Sequence, residues 1–157
     1  MPYTSAFALV RNGAREILLV LREDGQRWTL PGGSLLKGEI PRVGVTRITQ
    51  LKTGVEIAVS KMIGVFAHVE HEGLCVAYFA DPIGGTMLDS MPPMVSDYRY
   101  FDVREIVQMG SAVYNAQQRI IVDALLARRR GIEFPLEAQF TLPTRQEWEN
   151  VITVLKA

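Results

Sequence analysis

Three kinds of feature are scarce or missing in this 157-residue chain, and each absence excludes a class of protein. The chain has a single cysteine, Cys75, so it can form no internal disulfide, and we expect a reducing, cytoplasmic compartment. No apolar run approaches the roughly 20 residues that a bilayer-spanning helix needs. Residues 1–5 carry none of the basic residues that begin a secretory signal. We therefore expect neither a secreted disulfide scaffold nor a membrane protein.

An excess of charge of one sign is also missing. The 17 lysines and arginines balance the 17 aspartates and glutamates. Nucleic-acid-binding domains usually carry a basic excess, so we expect nucleic acid not to be a partner. The apolar fraction of 48% and the charged fraction of 22% are typical of a globular domain. The length predicts a single domain over residues 1–157.

The order of apolar runs and turns predicts a mixed α/β fold. Apolar and β-branched runs predict strands at residues 3–10, 16–21, 55–69, 74–80 and 98–101, with a short extended segment at Trp28. Helical spacing and end signals predict helices at residues 40–53 and 103–109, a long helix capped by Asn115, and an amphipathic helix at about 144–156. Residues 82–96, rich in glycine, proline and methionine, read as a loop.

The two C-terminal helices each carry a feature with two interpretations. Arg128-Arg129-Arg130 closes the long helix, where cations stabilise the negative end of the helix dipole. The same triplet could bind phosphate. In the last helix, Thr144 and Glu147 form a predicted capping box, and Trp148 belongs to an apolar stripe. That stripe must pack on this core or on a partner chain, so a homodimer is a hypothesis.

Residues 31–55 carry the most specific pattern, PGGSLLKGEIPRVGVTRITQLKTGV. A glycine loop that leads into a helix presents free N–H groups and the positive end of the helix dipole, which attract phosphate. Gly33 is followed after five residues by Glu39, after seven more by Arg47, and after six more by Gly54 and Val55. This spacing resembles the Nudix box, G-x5-E-x7-R-E-U-x-E-E-x-G-U, in which U is a bulky apolar residue.

The resemblance implies both a fold and a chemistry. It implies an α/β/α sandwich with a mixed β-sheet, and the order of elements supports it across roughly residues 3–130. In this family the box helix usually binds a divalent metal, generally magnesium, and hydrolyses a nucleoside diphosphate linked to another group. The metal neutralises phosphate oxygens and activates water. Three glutamates spaced i, i+3 and i+4 on the helix can converge on that ion.

The chain departs from the family at those three positions, which are occupied by Ile48, Leu51 and Lys52. Isoleucine and leucine cannot bind magnesium, and lysine repels it. Of the acids in the box only Glu39 remains, as a weak catalytic candidate that could equally pair with Arg47 or Lys52. We therefore predict no metal site in the box, and magnesium as a cofactor only if the chain is a hydrolase with ligands outside the helix. We expect impaired or absent metal-dependent hydrolysis.

Three functions remain open. The first is binding of a phosphorylated small molecule, such as a nucleoside diphosphate derivative, by Gly32, Gly33, Lys37, Arg47 and Lys52, with Trp28 and Tyr100 beside the base as the resemblance implies. The second is hydrolysis with magnesium held by acids outside the helix, drawn from Glu39, Glu56, Glu70, Glu72 and Asp97. The third is a protein-interaction scaffold that uses the Trp148 helix.

Three other features have simpler interpretations than a site. His68, Glu70 and His71 could suggest metal binding, but a polar turn is the simpler assignment. Cys75 lies in an apolar strand and is expected to be buried and unreactive. The methionine-rich segment 87–94 could be a flexible lid or an ordinary surface loop.

Overall fold

A computed structural model describes residues 3–23, 27–68 and 73–156. The strands are β1 (Tyr3–Val10), β2 (Ile17–Arg22), β3 (Trp28–Thr29), β4 (Gly32–Ser34), β5 (Val55–Ala67), β6 (Gly73–Gly85), β7 (Val95–Phe101) and β8 (Leu136–Gln139). The helices are α1 (Pro41–Thr53), α2 (Val103–Met109), α3 (Asn115–Arg130) and α4 (Arg145–Lys156). In this part of the chain no helix is both long and apolar enough to cross a bilayer.

The strands form two sheets. The larger sheet has the order β4-β1-β6-β5-β8 and is mixed, because β1 pairs with β6 and β5 with β8 in parallel, while the other pairs are antiparallel. The smaller sheet has the order β3-β2-β7 and is antiparallel. The expected α/β fold with a mixed sheet is confirmed.

Alternating side chains place helices on both faces of the larger sheet. On β1, Ala6, Ala8 and Val10 pack in a core that includes Val45 of α1. Leu9, between them, packs in a second core built on α3, together with Val151 of α4. The first four residues of β2 are buried, as the continuous apolar sequence predicts, whereas Leu21 is half-buried and Arg22 is exposed. The result is the expected helix–sheet–helix sandwich, with α1 on one side and α3 and α4 on the other.

Several boundaries differ from the sequence predictions. Residues 82–85 are not loop: β6 continues through Pro82 to Gly85 along β5, and β7 begins at Val95. The N-cap of α3 is Tyr114, not Asn115, and it makes no side-chain capping bond. The predicted capping box of α4 is present, since Thr144 Oγ1 accepts from the Glu147 N–H and a Glu147 carboxylate oxygen accepts from the Thr144 N–H. Strand β8 was not predicted.

Candidate functional site

The glycine loop begins at β4, which lies against β1 with Gly32 opposite Phe7. A Cβ atom on Gly32 would lie 2.1 Å from the carbonyl oxygen of Ala6 and 2.7 Å from the Cα of Phe7. No side chain fits there, so only glycine lets the two strands approach this closely. The loop after β4 then enters α1 at Pro41, the first helical residue, where proline suits the helix start.

The far end of α1 is fixed by Gly54. This residue adopts the left-handed conformation (φ 79°), and its N–H donates to the carbonyl oxygen of Gln50. A Cβ atom there would lie 2.1 Å from the Thr86 carbonyl oxygen. The N–H of Leu88 also donates to the carbonyl oxygen of Thr53 at 3.2 Å. The methionine-rich segment is therefore tied to the C-terminal end of α1.

Glu39 and Arg47 form a bidentate ion pair. The Arg47 Nε and Nη2 atoms donate to the two Glu39 carboxylate oxygens at 2.8 and 2.9 Å, and the Leu36 N–H donates to Oε1 at 3.0 Å. These bonds, with that from Arg47 first, lower the pKa of Glu39 to about 2, and the same pair raises the pKa of Arg47. Glu39 is thus an ionised structural carboxylate that holds the loop on α1, and the ion-pair alternative is the one present.

Lys52 points back to the glycine loop. Its Nζ donates to the carbonyl oxygen of Gly32 at 2.7 Å, and a Cβ atom on Gly33 would lie 3.4 Å from the same Nζ. Burial lowers the pKa of Lys52, and the nearby charge of Arg22 lowers it further. The structure therefore brings Gly32, Gly33 and Lys52 together around one partly buried ammonium group.

The other two altered positions differ from each other. The side chain of Ile48 is buried beside the loop, and its Cγ2 would lie 3.9 Å from a Cβ atom on Gly33. Leu51 is 65% exposed. An isoleucine, a leucine and an ammonium group offer no oxygen ligand to magnesium. The residues on this helix face do not fit the metal that the family resemblance implies.

The acids proposed as alternative metal ligands do not converge in the described part of the chain. No group of three or more histidine, cysteine, aspartate or glutamate side chains with metal-binding geometry occurs there. Glu56 accepts a hydrogen bond from Gln50 Nε2 at 3.4 Å, and Asp97 accepts from the Tyr98 N–H at 2.8 Å. Glu70, Glu72 and His71 lie outside the described residues.

Three other predicted ligand-binding residues make contacts of their own. Lys37 is exposed between β4 and α1. Trp28 packs edge-on against Phe101, with ring centroids 4.8 Å apart. Tyr100 packs in the α1-side core, where burial raises its pKa. In residues 3–23, 27–68 and 73–156 no hydrogen bond joins any of these three side chains to Lys52.

Sequence reasoning missed a second group of cations beside Trp28. The guanidinium carbons of Arg22 and Arg27 lie 5.5 and 5.8 Å from the ring centroid of Tyr114. Tyr114 is held there because its N–H donates to the Trp28 carbonyl oxygen at 2.9 Å. The sequence signal was weak, namely one arginine on each side of the turn between β2 and β3. The charge of Arg22 also lowers the pKa of Lys52.

Two remaining candidates are placed as follows. Cys75 is fully buried, and burial raises its pKa to about 12, so the thiol is not a nucleophile at neutral pH. The ring of His68 packs against Phe140, with centroids 4.7 Å apart. Neither residue belongs to the loop site.

Curated proteins match part of this chain in sequence. A Bacillus subtilis protein provisionally named 8-oxo-dGTP diphosphatase is 35% identical over 80 residues, which cover 51% of this chain and 54% of that protein. The chain thus spans about half the length of the curated relatives it matches.

Solved structures resemble the fold. A Nudix hydrolase from Nitrosomonas europaea matches with a TM-score of 0.74 and 16% identity, over 88% of this chain and 78% of the other. An ADP-ribose pyrophosphatase from Streptococcus suis matches with a TM-score of 0.67 and 18% identity, over 90% and 100%. At these identities the likeness concerns the fold alone. The model of the NUDIX domain family matches residues 1–125, and with the glycine loop and box helix in place, this chain belongs to the Nudix family.

Proposed function

We propose that this chain binds a nucleoside diphosphate derivative, or another phosphorylated small molecule, at the glycine loop without metal-dependent hydrolysis by the box helix. One observation carries the proposal. The ammonium group of Lys52, at a position where the family has a glutamate, is held 2.7 Å from the Gly32 carbonyl oxygen. A fixed cation therefore stands at the loop where the resemblance would place a metal-binding carboxylate.

The chemistry of that ammonium group suits phosphate. A lysine ammonium has three N–H donors, and Gly32 accepts from one of them. In the described part of the chain no second acceptor binds this ammonium group, so its other donors can reach phosphate oxygens. Replacing three family glutamates by Ile48, Leu51 and Lys52 also makes this helix face more positive by four charge units. The same change that removes the metal ligands creates an attraction for a phosphate anion.

The neighbouring residues favour a ligand that also has a flat group. The backbone N–H of Tyr114 donates to the Trp28 carbonyl oxygen, and the guanidinium groups of Arg22 and Arg27 lie over the Tyr114 ring. Aromatic rings and guanidinium planes both stack on nucleobases. The names of two similar proteins refer to 8-oxo-dGTP and ADP-ribose, which are both nucleotide compounds. A nucleoside diphosphate derivative is therefore the preferred class of ligand.

The test is a thermal shift screen of nucleoside diphosphate derivatives, with and without magnesium or manganese, combined with detection of products. We expect stabilisation by some members without metal, and no turnover. Metal-dependent turnover would instead support a hydrolase that uses acids outside the box helix. A panel with no stabilising member would favour the interaction scaffold. Either result would overturn the binding proposal.

Restoring the three family glutamates tests the register of the box. The variant Ile48→Glu/Leu51→Glu/Lys52→Glu should gain magnesium affinity, measured by calorimetry. Gln50→Glu is the matched control, since it adds a carboxylate to an exposed position of the same helix outside the family's metal set. Equal magnesium affinity in the two variants would show that this helix face is not the former metal site.

A further inference from the structure

A second concave site lies on the side of the larger sheet that α3 and α4 cover. It is a cleft of about 500 Å³ between the turn that follows β1, the end of α3 and the end of α4. Four arginines line it: Arg11, Arg15, Arg128 and Arg129. Of the carboxylates that the structure describes, that of Asp81 on β6 lines it. We call this site the arginine cleft.

The cations of the arginine cleft are not neutralised by the described part of the chain. The ion pairs there join other arginines, namely Arg47, Arg99, Arg119 and Arg145, to carboxylates. None of them includes an arginine of the cleft. The half-buried Arg11 guanidinium has a lowered pKa because of burial first, and then because of the charges of Arg128 and Arg15. Like charges are therefore concentrated in one place, and no ion pair of the described residues includes them.

The local backbone is arranged to present these side chains. Asn12 fixes the turn, since its Oδ1 accepts from the N–H groups of Ala14 and Glu16 at 3.1 and 2.8 Å. Arg15 adopts a left-handed conformation (φ 64°), which is uncommon for a residue with a side chain. Its N–H donates to the Asn12 carbonyl oxygen at 3.0 Å. The turn therefore holds Arg15 at the cleft in an unfavourable backbone conformation.

The helix dipole does not account for this arrangement. All three arginines of the C-terminal triplet suit the end of α3, yet only Arg128 and Arg129 line the cleft. They meet Arg11 and Arg15, which come from the other end of the chain and are brought there by the sheet. If these arginines only stabilised the end of α3, Arg128 and Arg129 would not need to lie beside Arg11 and Arg15.

The arginine cleft is separate from the glycine loop. Helix α1 packs on the opposite face of the sheet, whereas Leu125, Val154 and Leu155 of the cleft belong to the α3-side core. Arg128, Arg129 and the two α4 residues also lie beyond residue 125, where the match to the family model ends. The cleft is thus built partly from segments outside the matched domain.

We propose that the arginine cleft binds the phosphate groups of a small polyphosphate anion. Guanidinium groups donate pairs of hydrogen bonds to phosphate oxygens, and four of them match several adjacent phosphates. Among the described residues no aromatic side chain lines the cleft, so it is the phosphates, and not a base, that we expect the cleft to recognise. The phosphates can come from a free polyphosphate chain or from a nucleoside triphosphate. This proposal does not depend on the function assigned to the glycine loop.

The test is calorimetric titration of the full chain with inorganic tripolyphosphate and with ATP. Metal is removed by chelator, at about 150 mM salt, where the Debye length is about 8 Å. Arg128→Gln/Arg129→Gln should weaken binding of both probes by at least about tenfold, since it removes two charge-assisted donors. Arg130→Gln is the matched control and should change the affinity less than about twofold. Asp81→Asn should strengthen binding, because it removes a carboxylate that lines the cleft.

The outcomes separate the alternatives. Equal affinities for tripolyphosphate and ATP would support a free phosphate chain, and tighter ATP binding would support a nucleotide source. Equal losses in the Arg128→Gln/Arg129→Gln and Arg130→Gln variants would show only diffuse attraction and overturn the proposal. If Lys52→Met is the only variant that weakens binding of the probes, the phosphates bind at the glycine loop and the proposal is overturned. If a single-stranded oligonucleotide binds more tightly than either probe, and the same arginine substitutions weaken its binding, the ligand of the cleft is nucleic acid. That result would overturn the proposal of a small anion. Unfolding curves establish that each variant is folded.

Discussion

Replacing Lys52 by methionine tests the feature on which the proposed function depends. Methionine keeps much of the length and the apolar stem of the side chain but removes the ammonium group that donates to the Gly32 carbonyl oxygen at 2.7 Å. A hydrogen bond to a charged group contributes about 1.5–3 kcal/mol. Burial opposes the charged form, as the lowered pKa of Lys52 indicates. Because these two effects oppose each other, we expect the free energy of unfolding to change by no more than about 1 kcal/mol.

Ligand binding should respond much more strongly than stability. A phosphate that loses one charge-assisted hydrogen bond of about 1.5–3 kcal/mol binds roughly 10- to 100-fold more weakly. The measurement is calorimetry without metal, with the nucleoside diphosphate derivative that gives the largest thermal shift. Lys61→Met is the matched control. Lys61 is an exposed lysine of β5 whose Nζ lies 5.6 Å from the Phe134 ring centroid, and its replacement should leave the Kd unchanged.

Two results would contradict this reasoning. An unchanged Kd in Lys52→Met would show that the ammonium group does not contact the phosphate, whatever else the loop binds. A fall of more than about 3 kcal/mol in the free energy of unfolding would show that the bond to Gly32 is a structural requirement. In that case the replacement of a glutamate by Lys52 would be explained by stability and not by ligand binding.

Three further predictions concern the scaffold of the site. Glu39 has a pKa of about 2 against an ordinary value of 4.5, so its ionisation stabilises the fold above pH 4.5 and this stabilisation is lost as the pH falls toward 2. Glu39→Gln should therefore flatten the dependence of urea midpoints on pH between 5 and 2, and an unaltered dependence would assign it to other acids. Gly131→Ala, at φ 68° with open space around it, should cost about 1 kcal/mol. Gly54→Ala adds a Cβ 2.1 Å from the Thr86 carbonyl oxygen, so it should lower the free energy of unfolding by at least about 2 kcal/mol more than Gly131→Ala does. Equal losses of the two variants in denaturant unfolding would contradict the close contact at Gly54. Val151→Ala, at the buried face of α4, should lower the free energy of unfolding by about 1–3 kcal/mol, whereas exposed Thr153→Ala should lower it by less than about 0.5 kcal/mol.

Local signals predicted the elements whose ends they mark. Gly54 ends α1 where the sequence predicts, and the Thr144–Glu147 capping box marks the start of α4. Strand β8 carried no comparable signal, because it has four residues and pairs with residues of β5 about 70 positions earlier in the chain. That pairing requires Gly64, where a Cβ would lie 2.4 Å from the Leu136 carbonyl oxygen. A contact between segments that are far apart in the chain gives little signal in the sequence of either segment.

The residues of the candidate site also fall into two groups, those that local spacing predicts and those that it does not. The box spacing alone predicted Glu39, Arg47 and Lys52, since these positions share one loop and one helix. Arg22, Arg27 and Tyr114 meet only after the two sheets and α3 are assembled. The spacing also left the role of Glu39 open, because an ion pair with Arg47 and a free catalytic base would require the same residues. The structure shows the ion pair, with Arg47 Nε 2.8 Å from Glu39 Oε2.

A net charge of zero is compatible with two positively charged sites because of how the carboxylates are used. Glu39 pairs with Arg47, and Asp123 and Glu147 both pair with Arg119, which joins α3 to α4. These pairs remove negative charge from the surroundings of the remaining cations. Lys52 then lies at the glycine loop and Arg128 in the arginine cleft, on opposite sides of one closely packed sheet. Since distant sites without shared partners behave independently, the effects of their substitutions on ligand binding should be additive.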